Sequence, residues 1–260
     1  MKLGGVNRLR TRDRGWLRAL TSVEGPADRW VCFPHSGGSA GTYRAWSSAM
    51  PANAQLLAVQ YPGHADRMSE APADSVAEIA SRVAEELMRL EPAPCALFGH
   101  SLGALVAYET ARVLQENGRP PRCLFVSGAP APWHAGGGTT HRAGDDELWN
   151  ALRDLGGIDP GIADDPELRD LLLPVLRSDI TLNETYRPAP DPEPLHCEVR
   201  CYYNTEDPLV DGARLDAWAG VGDGRFSMRS WPGGHFRLLS DPAELIGDIA
   251  ETLARSGAVR

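Results

Sequence analysis

The chain has 260 residues, enough for one large domain or two small ones, and its 42% hydrophobic and 23% charged content suits a sizeable buried core. A formal net charge of −9 and a pI near 5.3 argue against nucleic acid as a partner. No run approaches the length of a membrane span, and the Arg-rich start lacks the apolar stretch of a signal peptide, so the expectation is a cytoplasmic protein that meets no membrane.

Residues 1–29 are polar and Arg-rich around an isolated Trp16-Leu17-Arg18. They read as a partly ordered N-terminal arm, with 30–260 as the folded domain. Trp30 to Phe33 is a short apolar strand that runs into Pro34-His-Ser-Gly-Gly-Ser39. A Gly-rich loop after an early strand lets the backbone approach a reacting carbonyl, so this loop is a candidate source of one oxyanion-binding N–H. A helix is predicted over 43–50, and a strand over 56–60 closed by Tyr61-Pro-Gly63. Asp74 is the expected N-cap of an amphipathic helix over 75–90, with Val76, Ile79, Val83 and Leu87 on one face.

Cys95 to Phe98 reads as a buried strand, followed by Gly99-His-Ser-Leu-Gly103 and a helix ending near Gln115, before Asn117-Gly118. Strand, Gly-x-Ser-x-Gly and helix together describe a sharp turn that holds its serine in a strained, exposed conformation. Another strand follows over 122–127, ended by Gly128-Ala-Pro-Ala-Pro132. Strands alternating with helices at this spacing imply an α/β fold: a mostly parallel central sheet with helices on both faces.

Residues 131–195 break that rhythm, being too many for a plain loop. Two helical patterns, near 145–155 and 166–181, lie between Gly136-Gly-Gly138 and the Pro-rich 188–194. An insertion after a strand's C-terminal end reads as a helical lid over the active-site end of the sheet. Strands over 197–203 and 225–231 and helices over 213–218 and 242–255 complete the chain. The five cysteines, Cys32, Cys95, Cys123, Cys197 and Cys201, lie in or beside strands without metal-ligand spacing. They are expected to be reduced, buried and small, with no metal site.

A serine hydroxyl needs a base within reach and a carboxylate to orient that base. In hydrolases with this turn the chain order is serine, acid, histidine, with acid and base on loops after later strands. Among seven histidines that order leaves His235, on a Gly-Gly-His turn after the last strand. His35, His64 and His100 come too early, His134 and His141 precede the acid loop, and His196 starts a strand. The acid is Glu206, Asp207 or Asp211. Asp207 is preferred, because Pro208 biases it toward extended backbone. The predicted oxyanion donors are the backbone N–H groups of Leu102 and Ser36.

Several motifs together resemble the type II thioesterases, the stand-alone editing thioesterases of polyketide and nonribosomal peptide assembly lines, members of the α/β-hydrolase superfamily. The resemblance runs from about Trp30 to Leu253. It rests on Cys32-Phe-Pro-His-Ser-Gly-Gly-Ser39, Val59-Gln-Tyr-Pro-Gly63 with Asp66-Arg67, Leu97-Phe-Gly-His-Ser-Leu-Gly-Ala104, Leu173-Pro-Val-Leu-Arg-Ser-Asp179, Asp207-Pro208 and Gly233-Gly-His-Phe236. The family's catalytic Ser, Asp and His fall on Ser101, Asp207 and His235. The chain departs from the family pattern at Ser36 (usually Ala), His64-Ala65 (usually Arg-Gly), Leu102 (commonly Met) and Ile180 (an aromatic). The resemblance implies hydrolysis of acyl thioesters on the phosphopantetheine arm of acyl or peptidyl carrier proteins. It implies no cofactor of the enzyme's own, and a monomer is expected. Arg177 and Arg187 are weighed as carrier contacts and as lid salt-bridge formers. Chain release of medium-chain acyl groups, hydrolysis of small oxygen esters and non-catalytic binding are the competing expectations.

Overall fold

The computed structural model describes residues 15–223 and 225–257. Seven strands form one sheet among them: β1 (Leu17–Ala19), β2 (Asp28–Phe33), β3 (Ala54–Val59), β4 (Cys95–His100), β5 (Cys123–Ser127), β6 (Glu198–Asn204) and β7 (Phe226–Trp231). Their order is β1-β3-β2-β4-β5-β6-β7. Every pairing is parallel except that of β1, which runs antiparallel to β3 with Leu17 opposite Val59.

Successive side chains of a strand point to opposite faces, so near-continuous apolar runs such as Val31-Cys32-Phe33 feed two cores. On one face Val31, Leu57, Leu97 and Leu124 pack with α1 (Val76–Arg89) and α2 (Leu102–Glu116). On the other, Trp30, Cys32, Leu56, Phe98 and Phe125 meet Tyr43 and Trp46 of the 3₁₀ helix Ala40–Ser48, together with Leu245, Ile246 and Ile249 of the helix Ala243–Gly257. The insertion supplies α3 (Asp145–Asp154) and α4 (Pro166–Thr185), whose Leu148, Trp149, Leu152, Leu173 and Leu176 make a third, separate core. Three helices close the chain: α5 (Gly212–Asp216), α6 (Arg237–Ser240) and α7 (Ala243–Gly257). No helix among the described residues is long and apolar enough to cross a membrane.

Four local expectations need correcting. Of the arm expected over 1–29, residues 1–14 lie outside the described residues, and the remainder supplies β1 and the first two residues of β2. Leu17 is buried, and the Trp16 and Leu17 N–H groups donate to the Glu86 carboxylate of α1. Pairing with β3 outweighs the polar composition of that segment. The helix expected over 43–50 is a 3₁₀ helix starting at Ala40, because the Ser39 and Thr42 side chains form a reciprocal capping box. The cap of α1 is Ser75, whose Oγ accepts the Glu78 N–H at 3.0 Å, while Glu78 reaches back to the Asp74 N–H. Finally, α4 extends beyond Thr181, anchored there by the Tyr186 hydroxyl donating to Glu109 Oε1 of α2 at 2.7 Å. All five cysteines are free, and burial pushes every thiol up, Cys95 to about 12.

Candidate active site

Strands β2 and β4 are neighbours, but the chain leaves β2 toward β3 on one side while β5 follows β4 on the other. Such a switch point opens a crevice at the carboxyl ends of the strands, where open α/β sheets bind ligands. The loop after β2 and the turn after β4 both reach it.

Ser101 follows β4 with φ 55° and ψ −123°, a conformation that L-residues avoid. Strain of this kind costs about 1–3 kcal/mol and persists only where the surroundings impose it. Here two glycines impose it. A Cβ on Gly99 would overlap the Gly103 carbonyl and meet Ala104 Cα at 2.6 Å. A Cβ on Gly103 would overlap the Phe33 carbonyl and meet the Pro34 oxygen at 2.7 Å. The turn is thus wedged against the end of β2. The Ser101 N–H donates to the Ser127 carbonyl at 2.8 Å, fixing the turn to β5. The Ser101 side chain is half-buried and makes no capping bond. Leu102 N–H opens α2, where helix geometry leaves the N–H without an intrahelical acceptor and the dipole favours negative charge.

Asp207 and His235 are brought together. His235 Nδ1–H donates to Asp207 Oδ2 at 2.6 Å, with both side chains buried. The other carboxylate oxygen accepts the Leu209 N–H at 2.9 Å. Three further bonds clip the two loops: Thr205 N–H to the Trp231 carbonyl, Glu206 N–H to that of Gly233, and Asn204 Nδ2–H to that of Gly234. Gly233 adopts φ +118°, which only glycine takes readily. Glu206 and Asp211, the other acids considered, are exposed. With Nδ1 committed to the carboxylate, His235 Nε2 is left as the acceptor; it is buried and has no hydrogen-bond partner.

His100 and Phe236 wall this ring, and His35 packs against both of them. The His100 and His235 centroids lie 4.6 Å apart, and those of His235 and Phe236 4.8 Å. Burial drives His100 well below its ordinary value and, against the bond to the Ser36 carbonyl, lowers His35 to about 4. Both are neutral near pH 7.

The loop after β2 forms a turn closed by the Gly38 N–H on the His35 carbonyl at 2.9 Å, with Gly37 at φ +77°. The Tyr43 and Tyr61 hydroxyls donate to the carbonyls of Phe33 and Pro34. These bonds fix the start of the loop, whose Phe33 and Pro34 carbonyls lie against Gly103 of the Ser101 turn.

The helix α4 covers this end of the sheet. Its Leu176 packs over Gly37 and its Val175 over Gly63. Arg177 donates to the His141 and Ala143 carbonyls at 2.6 and 2.8 Å and to Asp145 at 2.7 Å, and Arg187 donates to the Tyr186 carbonyl at 2.6 Å. Both arginines therefore serve contacts within the insertion. Sequence reasoning missed a buried pair: Asp179 of α4 bonded to His64. Asp179 belonged to a motif, but nothing local names its partner 115 residues away.

A family model described as Thioesterase domain matches residues 29–253. The chain belongs to the thioesterase family. Thioesterase PikA5 of Streptomyces venezuelae is 38% identical, over 92% of this chain and 85% of its own length. A probable cadicidin biosynthesis thioesterase of Streptomyces griseus is 34% identical over 92% of this chain, which spans 66% of that protein. Among solved structures, the type II thioesterase BorB from the borrelidin biosynthetic cluster superimposes with a TM-score of 0.85 at 37% identity, covering 93% of this chain and 99% of that one. Thioester hydrolysis is thus the reaction that this thioesterase's site has to explain, on the α/β-hydrolase fold of its neighbours.

Proposed function

We propose that Ser101, His235 and Asp207 are the nucleophile, base and orienting acid of a thioester hydrolase that removes stalled or aberrant acyl groups from the phosphopantetheine arm of acyl or peptidyl carrier proteins. The observation that carries the site is the 2.6 Å bond from His235 to Asp207, which leaves Nε2 as the acceptor, on the loops beside a strained serine. The substrate class rests on the relatives, which include a probable cadicidin biosynthesis thioesterase and a type II thioesterase from the borrelidin biosynthetic cluster.

In the first half-reaction Ser101 Oγ bonds to the acyl carbon while its proton moves to His235 Nε2. The C–S bond then breaks, and the departing pantetheine sulfur takes that proton. In the second, water attacks the acyl-serine and gives a proton to His235. The carbon–Oγ bond breaks, and Ser101 recovers its proton as the free acid leaves. Asp207 stays ionised and stabilises the imidazolium formed in each half. The N–H groups of Leu102 and Ser36 hold the oxyanion, each worth about 3–4 kcal/mol in such sites. The chemistry is supplied by these side chains and water; the pantetheine arrives with the substrate. The enzyme acts as a monomer in the cytoplasm.

Hydrolysis of acyl-carrier substrates, acyl-CoA and nitrophenyl esters, compared side by side, tests the reading. Uniform turnover of short acyl carriers is expected. Sharp preference for one long chain would replace editing by chain release, and preference for simple oxygen esters would reject the carrier-linked substrate.

A further inference from the structure

The contact between α4 and the loop after β2 has an unusual composition. Asp179 Oδ2 accepts two hydrogen bonds, from the Gly37 N–H at 2.7 Å and from His64 Nε2–H at 2.9 Å. His64 Nδ1 faces the Pro62 carbonyl at 2.9 Å, and a carbonyl can only accept. Both ring nitrogens thus face oxygens that accept, an arrangement a doubly protonated ring satisfies in full. In that form His64 is an imidazolium paired with a carboxylate, and each side chain is only 3% exposed.

What the pair holds is the middle of the turn. The peptide joining Ser36 to Gly37 is bonded at both ends: its carbonyl accepts from His35 Nδ1–H at 2.9 Å, and its N–H donates to Asp179. Rotation of that central peptide is what interconverts type I and type II turns, and positive φ at Gly37 places it in the type II arrangement.

We propose that Asp179 and His64 are positioning residues of the hydrolysis, an ion pair between α4 and the loop after β3 that fixes the oxyanion-binding turn, so that turnover depends on His64 keeping both protons. The inference rests on the site reading above, since it acts through the Ser36 N–H.

Burial works against a charged His64, but the bond and charge of Asp179 and the Pro62 carbonyl outweigh it and raise the imidazole above its ordinary 6.5. The groups facing it come from three segments. Asp179 lies on α4. Arg67, on its own loop, opposes the charge but is itself paired with Glu70 at 2.7 Å. Tyr61, on the same loop with its ring centroid 5.8 Å away, is held protonated by burial. His35, on the loop after β2, is neutral. A group whose folded value is raised contributes fully below its unfolded value, and its contribution fades as pH rises through the folded one. The pair is therefore fully intact below the unfolded value of about 6.5 and fails only as pH rises through the raised folded value, where His64 gives up its proton. Asp179 would then be a buried carboxylate with its cation gone, a costly arrangement that parts α4 from the turn.

The test compares kcat and KM across pH for the parent, His64→Arg, His64→Gln and Asp179→Asn, on one small acyl-pantetheine thioester. Parent kcat is expected to fall on the alkaline side, and His64→Arg to shift that limb upward, because a guanidinium stays charged. Loss of a whole oxyanion donor costs about 100–1,000-fold, so a loosened donor in Asp179→Asn should lower kcat about 10-fold while KM moves less than about 3-fold. His64→Gln should lower kcat similarly and lose the alkaline limb. An alkaline limb identical in parent and His64→Arg, or an Asp179→Asn effect confined to KM, would overturn the inference. A second measurement does not depend on turnover. In Ser101→Ala, NMR titration of the His64 ring should give a midpoint above 6.5, and the Gly37 amide should shift with it. A midpoint at or below that value, or a Gly37 amide that ignores the titration, also overturns it. Parental activity in Ser101→Ala would instead strike the site reading alone.

Discussion

Asp207→Asn is the sharpest perturbation the site offers, because the two oxygens of the carboxylate face different partners. Oδ1 accepts the Leu209 N–H at 2.9 Å, and Oδ2 accepts His235 Nδ1–H at 2.6 Å. An asparagine has one acceptor and one donor at those places. Turned so that its amide NH₂ meets Leu209, it would set donor against donor in a buried site. It must therefore keep its oxygen on Leu209 and present NH₂ to His235, which forces Nδ1 to accept and moves the ring proton to Nε2. The base is then occupied at the nitrogen that should receive the serine proton. In the Ser-His-Asp template such a wrong tautomer costs about 10,000-fold in kcat. That is about 5.4 kcal/mol at about 1.36 kcal/mol per decade. The assay is release of free thiol from an acyl-pantetheine thioester, with a melting curve to establish that the variant folds. Glu206→Gln and Asp211→Asn serve as comparators and should stay within about 3-fold, as surface changes away from a site do. A folded Asp207→Asn enzyme retaining more than a tenth of parental kcat would refute the tautomer argument, and an Asp211→Asn loss of the same size would move the acid.

Ser101→Ala should abolish turnover with little change in melting temperature, because the hydroxyl caps nothing; near-parental hydrolysis would sink the nucleophile assignment. Gly99→Ala and Gly103→Ala should each cost about 3 kcal/mol or more, since the added Cβ meets backbone that cannot yield, and denaturant midpoints would measure it. Arg177→Met should loosen residues 141–145 by removing bonds to the His141 and Ala143 carbonyls and Asp145, read as faster amide exchange there with the sheet unchanged. Despite burial, bonds from Arg200, Arg229 and Tyr202 hold the Asp248 carboxyl below its ordinary 3.8. A depressed carboxylate stabilises above its unfolded value and loses that contribution as pH falls through the folded one. Asp248→Asn should therefore weaken the protein at neutral pH and flatten the loss of stability on acidification; an unchanged acid limb in urea titrations would count against it.

What could be read from the chain alone was what local chemistry decides. Buried strands announce themselves as short apolar runs such as Cys95 to Phe98, and the amphipathic α1 by its spacing. The Ser101 turn is legible because its glycines are demanded by contacts within a strand-turn-helix unit. Chain order singles out His235 and puts the acid on the preceding loop, where Pro208 favours Asp207. Tertiary structure decided the rest, because partners far apart in sequence leave no local trace. Leu17 sits in a polar stretch of sequence and is buried where β1 pairs with β3. The bond from the Gly37 N–H to Asp179 spans 142 residues, and no spacing rule reaches that far. His64 comes too early in the chain to be the base, and the fold gives it a different part: a ring enclosed between two acceptors, whose meaning exists only once α4 has packed onto the sheet.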